Sequence, residues 1–96
     1  MARIVWTIQA VEDLENIFDY ISKDSLKYAQ IQIIRIQSIV KILKKQPRSG
    51  RVVPEIGNEK IRELILGNYR IIYRLPSEKT VEILTIHHSS RLLALD

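Results

Sequence analysis

Apolar and polar positions repeat with two different periods along this chain, and the change falls at Gly50. Arg3 to Trp6 is short and β-prone and predicts a first strand. Thr7 is placed to cap a helix, with Glu12 and Asp13 in its first turns, where carboxylates complement the positive end of the dipole. Ala10, Leu14, Ile17, Phe18 and Ile21 recur at three- and four-residue steps, the apolar stripe of an amphipathic helix. Ser22 to Ser25 is a polar break. A second helix is expected from Leu26 to Lys45, stopped by Pro47 and Gly50. Its core-facing stripe is Leu26, Ala29, Ile33, Ile36, Val40 and Leu43. Ile31, Ile34 and Ile42 lie across the axis from that stripe, among Lys27, Arg35, Lys41 and Lys45. Each aliphatic left in water forgoes about 1.5–3 kcal/mol of burial. Either the first helix and a loop cover these isoleucines, or they form a docking surface for a partner.

After Gly50 the period becomes two. Lys60 to Leu66 and Tyr69 to Leu75 read as strands joined by Gly67-Asn68, a dipeptide suited to a two-residue hairpin turn. Pro76 to Lys79 is a second turn and Thr80 to His87 a further strand. Arg51 to Val53 adds a short one. A two-residue turn pairs Leu66 with Tyr69, Ile65 with Arg70, Glu63 with Ile72 and Ile61 with Arg74, and opposed residues share a face. One face then holds Leu64, Leu66, Tyr69, Ile71 and Tyr73, which should lie on the helices. The other holds Ile61, Glu63, Ile65, Arg70, Ile72 and Arg74. Continuing through the second turn adds Val81, Ile83, Thr85 and His87 to it. That mixture is too apolar for solvent alone and too charged for a core, as in a site or partner groove. The order β-α-α-β-β-β predicts an α+β fold: an N-terminal strand and a helical hairpin packed on a small antiparallel sheet.

At 96 residues, 46% of them hydrophobic, the chain is long enough for one domain over residues 1–96 and rich enough for a core. It has no cysteine, which excludes disulfide frameworks, thiol nucleophiles and zinc fingers. No apolar run approaches the roughly 20 residues of a membrane span. No membrane association is therefore expected, and the expected location is the cytoplasm. The net charge of +4 is unevenly spread. Residues 1–25 carry two basic and five acidic groups, residues 26–51 seven basic and none acidic, and the remainder six of each. A basic block draws phosphate-bearing or acidic partners, although lysines at a helix C-terminus also complement its dipole.

Among residues able to do chemistry, Arg70 stands out. It is either a bidentate phosphate clamp or the diagonal ion-pair partner of Glu63 across the hairpin. His87 and His88 are the only histidines. Either could act as a general acid or base. As strand neighbours they point to opposite faces, which makes a poor metal site. No metal or cofactor is expected, and no serine sits in a nucleophile-elbow motif.

Six segments together resemble the RelE/ParE toxin superfamily. They are Val5-Trp6-Thr7-Ile8-Gln9-Ala10, Asp13 to Ile21, Gly50-Arg51-Val52-Val53-Pro54-Glu55, Ile61-Arg62-Glu63-Leu64, Tyr69-Arg70-Ile71-Ile72-Tyr73-Arg74 and Ile86-His87-His88-Ser89-Ser90-Arg91. The resemblance spans nearly the whole chain. It implies the toxin of a bacterial toxin–antitoxin pair, cytoplasmic and growth-inhibiting, held inactive by a cognate antitoxin that wraps it. Ile31, Ile34, Ile42, Lys41, Lys45, Ile65, Ile72 and Arg74 are then the expected partner-binding residues. One branch inhibits DNA gyrase by binding. The other cleaves messenger RNA on the ribosome, and for it Arg70, His87, His88 and Arg91 would be the catalytic set. The nuclease branch often carries a lysine-rich second strand and a C-terminal tyrosine, and this chain has Lys60 alone there and Leu92-Leu93-Ala94-Leu95 after Arg91. The resemblance therefore points to the ParE-like, gyrase-binding branch. The alternatives are the nuclease and an inactive chain that only binds its antitoxin.

Overall fold

A computed structural model describes residues 1–89. Strand β1 (Arg3–Trp6) leads into helix α1 (Ile8–Ser22), helix α2 (Leu26–Lys41) and a 3₁₀ turn (Ile42–Lys44), then β2 (Arg51–Val52), β3 (Ile61–Leu66), β4 (Tyr69–Ser77) and β5 (Thr80–His88). The five strands form one sheet in the order β1-β5-β4-β3-β2. All pairs are antiparallel except β1 with β5, which run parallel, so the sheet is mixed rather than purely antiparallel. The helical hairpin carries the chain across the sheet from β1 at one edge to β2 at the other, and β3, β4 and β5 then return it to β1.

Both helices are capped as their sequences predict. The Thr7 Oγ1 accepts from the Ala10 N–H at 3.1 Å, and the Ser25 hydroxyl accepts from the Tyr28 N–H at 3.1 Å. Thr7 also donates to the Ile83 carbonyl at 2.7 Å, tying the start of α1 to β5. Glu12 and Asp13 do not sit in the first turn of α1, because the helix begins at Ile8 and places them a turn further on. Asp13 is used differently: its Oδ2 accepts the Ile86 N–H at 3.0 Å and the Thr85 hydroxyl.

Ala10, Ile36, Val40 and Leu43 of the helices pack with Ile71, Tyr73, Leu75, Val81, Ile83 and Ile86 of the sheet in one core. Leu14, Ile17, Leu64, Leu66 and Tyr69 complete its edge. Leu26, expected in that stripe, is exposed. It is the first residue of α2, and helical side chains lean toward the N-terminus, which carries it past the end of the packed surface.

The hairpin register is the expected one, from Ile61 opposite Arg74 to Leu66 opposite Tyr69. Gly67 takes φ of +56°, a conformation open to glycine, and closes the turn. On the other side of β4, two bulges change what the period of two implies. Ile72 faces Thr85 but Tyr73 faces Ile83, leaving Leu84 as the extra residue. Val81 and Ile83 are thereby turned into the helix-side core instead of joining Arg70's face. Between Arg74–Glu82 and Ser77–Thr80, two β4 residues, Leu75 and Pro76, oppose Val81 alone. A bulge is where a strand tolerates a proline, which has no N–H to offer the ladder.

Candidate functional site

The second face of the sheet is organised by Glu63. Its carboxylate is 1% exposed and lies between two guanidinium groups, with Arg51 Nε donating to Oε2 and Arg70 Nε donating to Oε1, each at 2.6 Å. The outer edge of Arg70 is also occupied. Nη1 and Nη2 donate to the two oxygens of Glu55 at 2.6 and 2.8 Å, a bidentate fork. Arg70 thus spends donors on two carboxylates at once. Its hydrogen bond to Glu55, the largest cause, raises its pKa above the ordinary arginine value despite burial. The same hydrogen bond lowers Glu55 to about 2. Of the two expected roles, the ion pair with Glu63 is the one the side chains adopt.

His87 lies directly across the ladder from Arg70. His88 points the other way, its ring edge-on to Tyr69 with centroids 5.4 Å apart and planes at 88°. It lines a cavity of about 550 Å³ with Asp13, Asn16, Ile17, Tyr20, Tyr69 and Ile86, between α1 and the sheet. The proposed catalytic set is therefore split: Arg70 and His87 share one face, His88 belongs to the other, and Arg91 lies outside the described residues.

The expected partner-binding residues also divide. Ile31, Ile34 and Ile42 stay exposed, Ile34 at 61%, and neither α1 nor a loop covers them. Lys41 and Lys45 are exposed beside them. Ile65 is exposed on β3, opposite Arg70, and Arg74 is exposed and ion-paired with Glu82 at 2.9 Å. Ile72 is a correction. It has no exposed surface and sits between Glu63 and Thr85, whose side chains are both held by internal hydrogen bonds, so no partner can touch it.

Sequence reasoning missed three residues that hold this face together. Glu55 is visible only as the end of the Gly50–Glu55 segment of the resemblance, Arg51 only as the end of a basic block, and Asp13 only as a dipole partner. A sequence signal existed for two of them, since Arg51 and Glu55 bracket the Arg51-Val52-Val53-Pro54-Glu55 segment that precedes Glu63 and Arg70. Tyr73 fixes the loop ahead of that segment. Its hydroxyl donates to the Pro47 carbonyl at 2.8 Å and accepts from the Gly50 N–H at 3.0 Å. Burial raises its pKa above the usual tyrosine value.

Chemically, two arginines and two carboxylates form a nearly self-neutralised cluster. Such a cluster suits recognition of a shaped polar surface better than capture of a free anion. Among the described residues no helix is long and apolar enough to cross a membrane.

Comparison with known proteins agrees with this architecture. Toxin RelE2 of Caulobacter vibrioides is 33% identical over 92 residues, covering 96% of this chain and all of the relative. A candidate toxin of Sinorhizobium fredii, Y4kP, is 40% identical over 90 residues, covering 91% and 88%. A solved structure of the chromosomal ParDE toxin–antitoxin system from P. aeruginosa superposes with a TM-score of 0.76 at 26% identity, covering 92% of this chain and 96% of that one. Residues 4–93 match the family described as the ParE toxin of the type II toxin–antitoxin system parDE. The chain belongs to that ParE toxin family, and as the toxin of a type II pair it has a cognate antitoxin for its partner.

Proposed function

We propose that this toxin inhibits growth by binding DNA gyrase rather than by cutting RNA. The observation that carries this reading is the engagement of Arg70 by two carboxylates. All three of its nitrogens donate to Glu55 or Glu63, so its bidentate outer edge is taken up by Glu55 and its charge is offset instead of being presented to a scissile phosphate. A nuclease site also needs an acid and a base facing the same ribose, and the two histidines stand on opposite faces of β5. The exposed isoleucines of α2, with Lys41 and Lys45, suit an amphipathic antitoxin segment laid along that helix.

A second reading, a ribosome-dependent messenger-RNA endonuclease, draws support from the relative named Toxin RelE2 and from His87 beside Arg70. It requires Glu55 to swing away and free the guanidinium.

Pulse-labelling in a bacterial host after tightly controlled induction separates the two. An early fall in thymidine incorporation alone, with purified toxin blocking gyrase supercoiling, is expected. An early fall in methionine incorporation instead would transfer the proposal to the ribosome. Soluble toxin that changes neither rate would leave an inactive antitoxin-binding protein.

A further inference from the structure

The fold sorts the cations of this chain into two groups that composition cannot separate. Arg51, Arg70 and Arg74 are each met by a carboxylate. The other described cations form no ion pair among the described residues, and six of them, Lys41, Lys44, Lys45, Arg48, Lys60 and Arg62, fall together. Arg62 is held by neutral carbonyls instead, with Nε donating to Glu59 O and Nη1 to Gly50 O, both at 2.9 Å. A carbonyl satisfies the donor without cancelling the charge.

These six uncompensated cations gather at one end of the molecule. Lys41 ends α2, Lys44 closes the 3₁₀ turn, and Lys45 and Arg48 follow in the loop to β2. Arg62 reaches that loop through Gly50, and Lys60 shares with Arg48 the rim of a groove of about 610 Å³ that Pro47 and Leu75 help to line. Glu59 and Glu78 are the acidic residues nearby, the second of them lining the groove. The loop beneath is fixed: the Ala2 N–H donates to the Lys44 carbonyl at 2.8 Å, and the Tyr73 hydroxyl bridges Pro47 and Gly50. Cations on a fixed frame lose less freedom on binding than the same residues on a loose loop.

A rigid cluster of uncompensated charge matches a phosphate backbone. No aromatic side chain lines the groove, so it lacks the platform on which unpaired bases stack. Contacts of this kind position a protein along a duplex without reading its sequence. We propose that the C-terminal end of α2, the loop to β2 and Lys60 form a contact surface for the phosphate backbone of duplex DNA. The preference for DNA rests on the gyrase reading, since gyrase works on DNA. The charge cluster does not depend on it.

The test is fluorescence anisotropy of free full-length toxin with a labelled 25-base-pair duplex, gyrase being absent, from 25 to 200 mM salt. Neutralising about three to four phosphates predicts a slope near +3 in log Kd against log salt. Reversing Lys44, Lys45 and Arg48 to glutamate should weaken binding at least tenfold at low salt and flatten the slope. The charge-matched triple reversal Lys23→Glu, Lys27→Glu and Arg35→Glu, at the hairpin turn and midway along α2, should change it less than threefold. Should the first triple variant not fold by circular dichroism, Lys45→Ala and Arg48→Ala each lower the slope by about one. Equal weakening by both triple variants, absence of salt-dependent binding, or tighter binding of single-stranded RNA at matched salt would overturn the assignment. Gyrase inhibition by a wild-type toxin that shows no salt-dependent DNA binding would sink this inference while leaving the proposed target intact.

Discussion

Gly50 and Tyr73 are packed so closely that a methyl group on Gly50 has no place to go. A Cβ there would lie 2.6 Å from the Tyr73 hydroxyl and 2.6 Å from the main-chain oxygen of Glu63. The φ of Gly50 is not in the left-handed region, so the constraint is space and not backbone freedom. Gly50→Ala must push a β3 carbonyl or displace a buried ring, and should cost at least about 2–3 kcal/mol. Tyr73→Phe keeps the ring but strands the Gly50 N–H and the Pro47 carbonyl, for about 1–3 kcal/mol. Urea unfolding of both variants gives the values. A neutral Gly50→Ala would show that the loop to β2 can move.

Glu63 and Glu55 both bind Arg70, yet they differ in what their loss does. Glu63 is enclosed, and Glu63→Gln leaves Arg70 and Arg51 short of a buried counter-charge, with an expected loss of about 2–4 kcal/mol. Glu55 is half exposed, and Glu55→Gln should leave the fold in place with a much smaller loss. It also breaks the bidentate fork and releases one donor of Arg70. If the toxin binds gyrase, Glu55→Gln should not create ribosome-dependent RNA cleavage. Appearance of that activity in a translation extract would favour the nuclease reading.

The hairpin was legible because a two-residue turn leaves one register, and that register assigned Leu64, Ile71 and Tyr73 to the helix side correctly. Val81 and Ile83 were assigned to the wrong face because the bulge at Leu84 leaves no mark on an alternating pattern. The charged face was legible only in part. Arg70 with Glu63 follows from the register, while Arg70 with Glu55 joins residues 15 apart through a loop whose path no periodicity encodes. The exposed isoleucines were visible as an anomaly, and only the packed helices could decide that α1 leaves them uncovered.

The Arg70–Glu55 fork makes an acid-side prediction. Glu55 titrates near 4.5 when free and at about 2 in the folded protein, because Arg70 holds the charged form. A lowered carboxylate stabilises the fold fully above its unfolded value and loses that contribution as pH falls through the folded one. The difference in Tm between the wild type and Glu55→Gln should therefore be constant above about pH 5 and shrink between about pH 4.5 and pH 2. A difference that persists unchanged at pH 2 would mean that Glu55 acts through packing and not through its charge.

Ile34 offers a separation of stability from recognition. At 61% exposure it contributes little to the core, so Ile34→Ser should shift the unfolding free energy by no more than about 0.5 kcal/mol. Ile36, two positions on and fully enclosed, is the contrast: Ile36→Ala should cost about 2–5 kcal/mol. If α2's outer face carries the antitoxin, Ile34→Ser combined with Ile31→Ser should weaken the toxin–antitoxin complex at least tenfold while leaving the Tm of the free toxin unchanged. Calorimetric titration of purified antitoxin into each toxin measures this directly. Unchanged affinity in the double variant would move the antitoxin off the helical hairpin and onto the sheet, where Ile65 is an exposed aliphatic to test.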